Sequence, residues 1–193
     1  MPLAAPKTLA PGTHAWLALE NATLTLAGSV IKPAGDSTSY TTVQRTAKPA
    51  ATDGAWVKLS GIAKAELSVD NGQGLELWEP VPGGLELVEV LRVGRKRSFK
   101  LTCQRVQPIT FQSLLQTLAL NGSTTQFNPG EAPAELNAWL KIQVYDHKHA
   151  LQVTLDHFVE FVLADALTLD PKAKVDPVYN ATGLYSVLNT GTL

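Results

Sequence analysis

Apolar and polar residues alternate with a period of two along most of this chain, the spacing of half-buried β-strands. Trp16, Leu17 and Leu19, followed by the alternating Thr23-Leu24-Thr25-Leu26, predict one or two short strands. Trp56-Val57-Lys58-Leu59 alternates, and so does 65–70, where Asn71-Gly72 supplies a turn signal. Leu75-Glu76-Leu77-Trp78-Glu79 continues the pattern. Leu85-Glu86-Leu87 opens another run whose phase slips at Val88-Glu89-Val90, as an inserted bulge residue would make it do. Gly94 with Arg95-Lys96 predicts a hairpin tip, after which Phe99, Leu101 and Cys103 share one face. Further on, Ala138, Leu140, Ile142 and Val144 share a face, and Asp146-His147-Lys148-His149 reads as a polar hairpin turn. Val153, Leu155, His157, Val159 and Phe161 alternate next; further strands are expected near 164–169 and 184–188.

One segment departs from period two. Phe111, Leu114, Leu115 and Leu118 recur at helical spacing, with Thr110 as the N-cap and Asn121-Gly122 as the stop, so a single α-helix is expected at about 110–121. Pro2, Pro6 and Pro11 make 1–13 a flexible arm. The Gly-, Pro-, Ser- and Thr-rich stretch 28–54 reads as a long loop or insertion, with 40–45 as one strand inside it. The fold class is therefore mainly β: an antiparallel sandwich or barrel with one helix and long loops, in a single domain over 14–193.

Composition narrows the function classes. Of 193 residues 45% are hydrophobic and only 17% charged, which suits a β protein and equally one that covers its surface with copies of itself. A net charge of −1 argues against a dedicated nucleic-acid binder. The single cysteine, Cys103, excludes an intrachain disulfide and reads as a buried strand residue. No apolar stretch approaches the roughly 18 residues of a membrane span, and no targeting segment is visible, so no membrane partner is expected. Phosphate-cradling glycine loops, dinucleotide fingerprints, nucleophile elbows and zinc-spaced cysteine pairs are all lacking, so neither an enzyme nor a cofactor is expected.

Three constellations are worth weighing. His147, His149 and His157, with Asp146 and Asp156, would approach a zinc geometry if the hairpin brought them together, but Lys148 between the first two opposes a cation, and no metal site is assigned. Trp139 and Tyr145 fall opposite the apolar face of their strand; they either pack beneath a second layer or stand exposed as a sugar-stacking platform or subunit contact. The third is charge. The charged residues of 66–89, among them Glu76, Glu79, Glu86 and Glu89, are all acidic; those of 92–105, among them Arg92, Arg95, Lys96 and Arg97, are all basic. Neighbouring strands could pair these charges within one chain, or the basic hairpin could meet the acidic edge of the next subunit, which favours head-to-tail rings and stacks. Nucleic-acid binding by the basic hairpin is a third possibility, opposed by the acidic block beside it. The eight residues named are the candidate assembly interface.

The run Ala55-Trp56-Val57-Lys58-Leu59-Ser60-Gly61-Ile62-Ala63-Lys64-Ala65-Glu66-Leu67-Ser68-Val69 resembles the opening of the tail tube (major tail) proteins of long-tailed bacteriophages. There an aromatic-led strand, a Leu-Gly step and an alternating strand begin the tube domain. Phe99-Lys100-Leu101-Thr102-Cys103-Gln104-Arg105-Val106 before the expected helix resembles that family's long strand into its single helix, and 159–169 with 185–193 resemble its closing strands. The resemblance covers most of 55–193, with two departures: Ser60 spaces the Leu-Gly step, and 14–54 is longer than a minimal tube subunit needs. It implies a non-catalytic virion subunit of the tail, made in the host bacterial cytoplasm, which closes into hexameric rings stacked as a hollow tube. Its implied partners are copies of itself, a tape-measure protein, and tail terminator and baseplate or tail-tip proteins, with DNA passing through the lumen without specific binding. The competing expectation is a carbohydrate-binding or decoration module on a virion or cell surface.

Overall fold

The computed structural model describes residues 12–59, 61–82, 84–107, 109–110, 136–164 and 175–192. They form ten strands: β1 (Gly12–Leu19), β2 (Val57–Leu59), β3 (Ile62–Asp70), β4 (Gln73–Val81), β5 (Gly84–Val93), β6 (Lys96–Cys103), β7 (Asn137–Tyr145), β8 (Leu151–Leu163), β9 (Val178–Gly183) and β10 (Thr190–Thr192). Every pairing is antiparallel, in one sheet ordered β2-β1-β7-β8-β9-β6-β3, with β10 also on β8, and a separate β4–β5 pair. The chain is mainly antiparallel β, as its alternation predicts.

The ends of that sheet are joined covalently. β2 pairs with β1 at one end and β3 with β6 at the other, yet β2 and β3 are separated only by residues 60–61. Strand direction alternates along the path, so β2 and β3 run the same way, as one chain run must. The sheet therefore curls until its ends meet, with the 57–70 run shared between them. Gly61 makes the corner with φ +62, a left-handed backbone that other residues adopt only with strain. Its carbonyl accepts from the Gln104 amide at 2.7 Å, starting the new pairing at once.

Inside the curl lies one core: Ala15, Leu17, Leu59, Phe99, Leu101, Cys103, Ala138, Leu140, Ile142, Val159, Phe161, Tyr179 and Ala181. These are the odd or even members of their strands, the faces expected for β6, β7 and β8. Cys103 is fully buried, and burial pushes its thiol up to about 11. The turn between β7 and β8 falls where expected. Asp146 accepts from the Lys148 and Ala150 amides, and His149 takes a left-handed φ of 61.

A second layer covers the outer face of β1, β7 and β8. It is built from residues 20–56 and 184–189, and its core is Ala18, Leu24, Val43, Ala55, Trp139, Phe158 and Leu188. Within this layer the backbone makes only isolated bridges, Thr23 to Thr42, Ile31 to Lys48 and Gln44 to Ala47, so the strands expected at 23–26 and 40–45 do not form. Asp53 fastens the layer, accepting from the Thr25, Leu26 and Ala55 amides and the Thr25 hydroxyl. Burial pushes its carboxyl up, but these donors outweigh it and hold the group below the usual range.

Three further expectations change. Residues 184–188 are a turn, not a strand; the closing strands are β9 and β10, both on the same edge of β8. In the gap between them Asn189 Oδ1 accepts from the Phe158 amide at 2.8 Å. Gly12 and Thr13 already belong to β1, so the arm is shorter than 1–13 at its inner end. Thr110 is itself helical, so it is not the N-cap; its hydroxyl accepts from the Gln107 amide and bonds to Tyr179. The rest of the helix expected at 110–121, all but Ala164 of the strand expected near 164–169, and most of the arm lie outside the described residues.

Candidate assembly interface

The turn signals at Asn71-Gly72 and Gly94-Arg95 are not hairpin tips. Asp70 faces Lys96 in the β3–β6 pair, and Gln73 faces Val93 in the β4–β5 pair, so the two glycine-bearing steps lie opposite each other. β3 and β4 continue one another, as do β5 and β6, and together they form one two-stranded ribbon whose last pair toward the tip is Val81 with Gly84. Gly72 and Gly94, with φ of 70 and 84, interrupt both strands at one level. The sequence signal for left-handed backbone was read correctly as a place, and wrongly as a chain reversal. The bulge expected at 88–90 is present: Leu77 faces Glu89 while Trp78 faces Leu87, leaving Val88 extra.

β4 and β5 pair only with each other among the described strands. At about 3.3 Å per residue, the nine residues of β4 carry the tip roughly 30 Å beyond the interruption. Trp78 opposite Leu87 and Pro80 opposite Leu85 fall on one face near that tip. Trp78, Leu85 and Leu87 are 50%, 66% and 41% exposed. An isolated two-stranded hairpin is marginal in water, and this one exposes its largest apolar groups.

The eight predicted interface residues all lie on this ribbon. Glu76 and Glu79 stand on β4, Glu86, Glu89 and Arg92 on β5, Arg95 at the interruption, and Lys96 and Arg97 on β6. The register separates two zones. At the base the signs are complementary, with Glu66 opposite Lys100 and Asp70 opposite Lys96. Near the tip the register sets two acidic positions, Glu79 and Glu86, against each other. Among the described residues the ion pairs are Lys48–Asp156 and Lys64–Glu66, so Glu76, Glu79, Arg95, Lys96 and Arg97 join none. The Trp78 indole donates to the Glu76 carboxylate at 3.2 Å.

A second feature was not foreseen. On the outer face of β7, Lys141 is only 8% exposed, with its ammonium 4.0 Å from the centre of the Trp56 ring. It borders a cavity of about 290 Å³, also lined by Trp16, Ala51, Thr52, Asp53 and Gln143. Burial, with the nearby Lys48 charge and against the pull of Asp156, holds the Lys141 ammonium below its ordinary pKa. Behind it Lys48 and Asp156 pair at 3.0 Å, and Lys48 also donates to Thr190. Alternation correctly put Trp139, Lys141 and Gln143 on the outer face; the burial comes from the 20–56 layer, whose docking no local pattern announces.

The other constellations do not converge. His147 and His149 sit in the β7–β8 turn, whereas His157 faces inward opposite Leu140 with its ring 5.3 Å from Phe99. No group of metal-ligating side chains is found among the described residues. Trp139 is fully buried and donates to the Gln44 carbonyl, so it forms no exposed platform with Tyr145, whose ring lies against His14.

No family model matches the sequence. No curated protein matches it either. Among solved structures, the chain is similar to one in the cryo-EM structure of the anti-feeding prophage baseplate, six-fold symmetrised, with 8% identity and a TM-score of 0.38 over 98% of this chain and 97% of that one.

Proposed function

We propose that this protein is a non-catalytic structural subunit that assembles with copies of itself through its projecting ribbon. The observation that carries the reading is the distal ribbon: two strands that pair only with each other among the described strands, an apolar face formed by Trp78, Leu85 and Leu87, and acidic groups, Glu76 and Glu79, that join no ion pair among the described residues. Each of these features costs stability in a lone chain and is relieved when a neighbour pairs with an edge, covers the face and supplies cations. The resemblance of 55–193 to tail tube proteins supports a particular assembly, rings of subunits stacked as the tube of a phage tail, with the ribbons meeting around a channel. In that setting tape-measure, terminator and baseplate proteins are the further partners. The burial of Trp139 takes away half of the platform on which the carbohydrate-binding alternative rests.

The structure offers a clean excision. Deleting residues 73–95 joins Gly72 to Lys96 and leaves Asn71-Gly72 as a two-residue turn between Asp70 and Lys96, which already face each other. Asn-Gly is the preferred sequence for such a turn. The shortened chain is expected to melt cooperatively like the parent. Wild-type protein at high concentration is expected to form rings or tubes in negative-stain micrographs, and the shortened chain to remain monomeric in light scattering. Assembly of the shortened chain to the same extent would refute the role given to the ribbon.

A further inference from the structure

Lys141 is a buried ammonium that joins no ion pair among the described residues. The one acidic group lining its cavity, Asp53, is saturated by its own layer: one oxygen accepts from Thr25 and Ala55, the other from Leu26. Asp156, directly across from Lys141 in the β7–β8 register, gives one oxygen to Lys48. Counting Lys48, Lys58 and Lys141 against Asp53 and Asp156, the surroundings keep one positive charge in excess. Lys58, whose ammonium lies 5.7 Å from the Trp16 ring centre, stands exposed beside this site. A buried cation facing a cavity with two indole walls suits a ligand group that is anionic at one end and flat and apolar at the other.

The ribbon tip has that chemistry. Its charged residues over 73–93 are Glu76, Glu79, Glu86, Glu89 and Arg92, a net of −3 by residue type. Trp78 and Glu76, two apart on one face of β4, are both exposed there, the indole donating to the carboxylate. A cavity of about 290 Å³ is too small for a folded element and large enough for one or two side chains. We propose that the Trp16–Trp56–Lys141 cavity is a socket for the acidic, tryptophan-bearing ribbon tip of a second copy of this chain. This rests on the self-assembly reading and specifies which surface receives the ribbon. The contact is heterologous, tip to socket, so each copy keeps one free tip and one free socket. Such a contact propagates into a ring or a filament and does not stop at a pair.

The test compares assembly thresholds and proximity. Lys141→Met keeps the length of the side chain against Trp56 and removes the charge; unchanged melting would show that the fold is intact. The concentration needed for assembly is expected to rise tenfold or more. Glu76→Gln with Glu79→Gln is expected to raise it similarly, and all three changes together by little more than either set. Independently, a chain carrying Leu85→Cys is mixed with one carrying Gln143→Cys and assembled, then treated with a short bis-maleimide; Cys103 is buried and stays unreactive. Links between unlike chains are expected to dominate. Assembled material with no such links, or a Lys141→Met chain that assembles at the wild-type threshold, overturns the socket while leaving the ribbon reading to its own excision test. A wild-type chain that never assembles overturns both.

Discussion

The Lys48–Asp156 pair makes an asymmetric prediction. Both side chains are buried, at 6% and 13% exposure, and their atoms lie 3.0 Å apart. Removing one partner of a buried pair costs about 3–5 kcal/mol, chiefly because the other charge is left without compensation. Here the two removals differ. Asp156→Asn strands two ammonium groups, Lys48 and Lys141, beside one another with no nearby free carboxylate. Lys48→Met strands only Asp156, which still has Lys141 across the strand pair. Asp156→Asn is therefore expected to lose the full ~3–5 kcal/mol, and Lys48→Met less than half of that, on the order of 1–2 kcal/mol. At about 2–4 °C per kcal/mol for a chain of this size, Asp156→Asn lowers the melting temperature by roughly 10 °C. Urea unfolding followed by tryptophan fluorescence gives both values, and the Lys48→Met, Asp156→Asn double variant closes the cycle. A Lys48→Met variant as damaged as Asp156→Asn would show that Lys141 does not share the carboxylate, and the account of the charged cluster would fall.

Two further outcomes follow from single residues. Burial, with the Arg97 charge and against the pull of Asp156, holds His157 below its ordinary value of 6.5, so the folded state prefers the neutral ring. Its contribution is complete above that value and is lost as pH falls through the lower folded value; His157→Leu is expected to flatten the stability profile between pH 7 and 5, and an unchanged slope would refute the assignment. Gly61 turns the shared strand with φ +62, and a Cβ there would lie 3.3 Å from that of Gln104. Gly61→Val is expected to cost about 2 kcal/mol or more, and Gly61→Asn distinctly less because Asn tolerates left-handed backbone, both read from denaturant midpoints.

What the sequence made legible was face and period. The inward sets Phe99, Leu101, Cys103 and Ala138, Leu140, Ile142 are visible because a strand with one buried face must alternate. The bulge at Val88 showed as a phase slip for the same reason. Chain reversal was not legible, because Asn71-Gly72 and Gly94 signal only a backbone shape. The same left-handed residue that closes a hairpin also interrupts a strand, and only the opposite strand decides which. The closing strand was misplaced at 184–188 because Leu184 and Leu188 are apolar for a different purpose, packing beside Trp139 and Phe158 in the outer layer. The burial of Lys141 was not legible because nothing near it in sequence encodes the 20–56 layer that buries it. Of the interface, the sequence supplied the segregated charges but not their register. The Glu79–Glu86 opposition, which distinguishes the tip from the base, is a property of pairing.

The two halves of the ribbon stand in different thermodynamic positions. Its base belongs to the closed sheet, where β6 is held on both edges by β3 and β9 and contributes Phe99, Leu101 and Cys103 to the core. Its distal part has no such support, and it is joined to the base through Gly72 and Gly94, the residues with the greatest conformational freedom, set opposite one another. The barrel can therefore fold without fixing the direction of the tip. If the chain assembles as proposed, direction is settled by what the tip meets, and the ordering cost of the distal strands falls on assembly and not on folding. That division makes a single tip contact weak and a closed set of contacts strong, since one ordered tip presents its own edge and charges to the next copy. On the proposed reading, such a subunit is expected to assemble sharply once its concentration or a preformed end supplies several contacts at once.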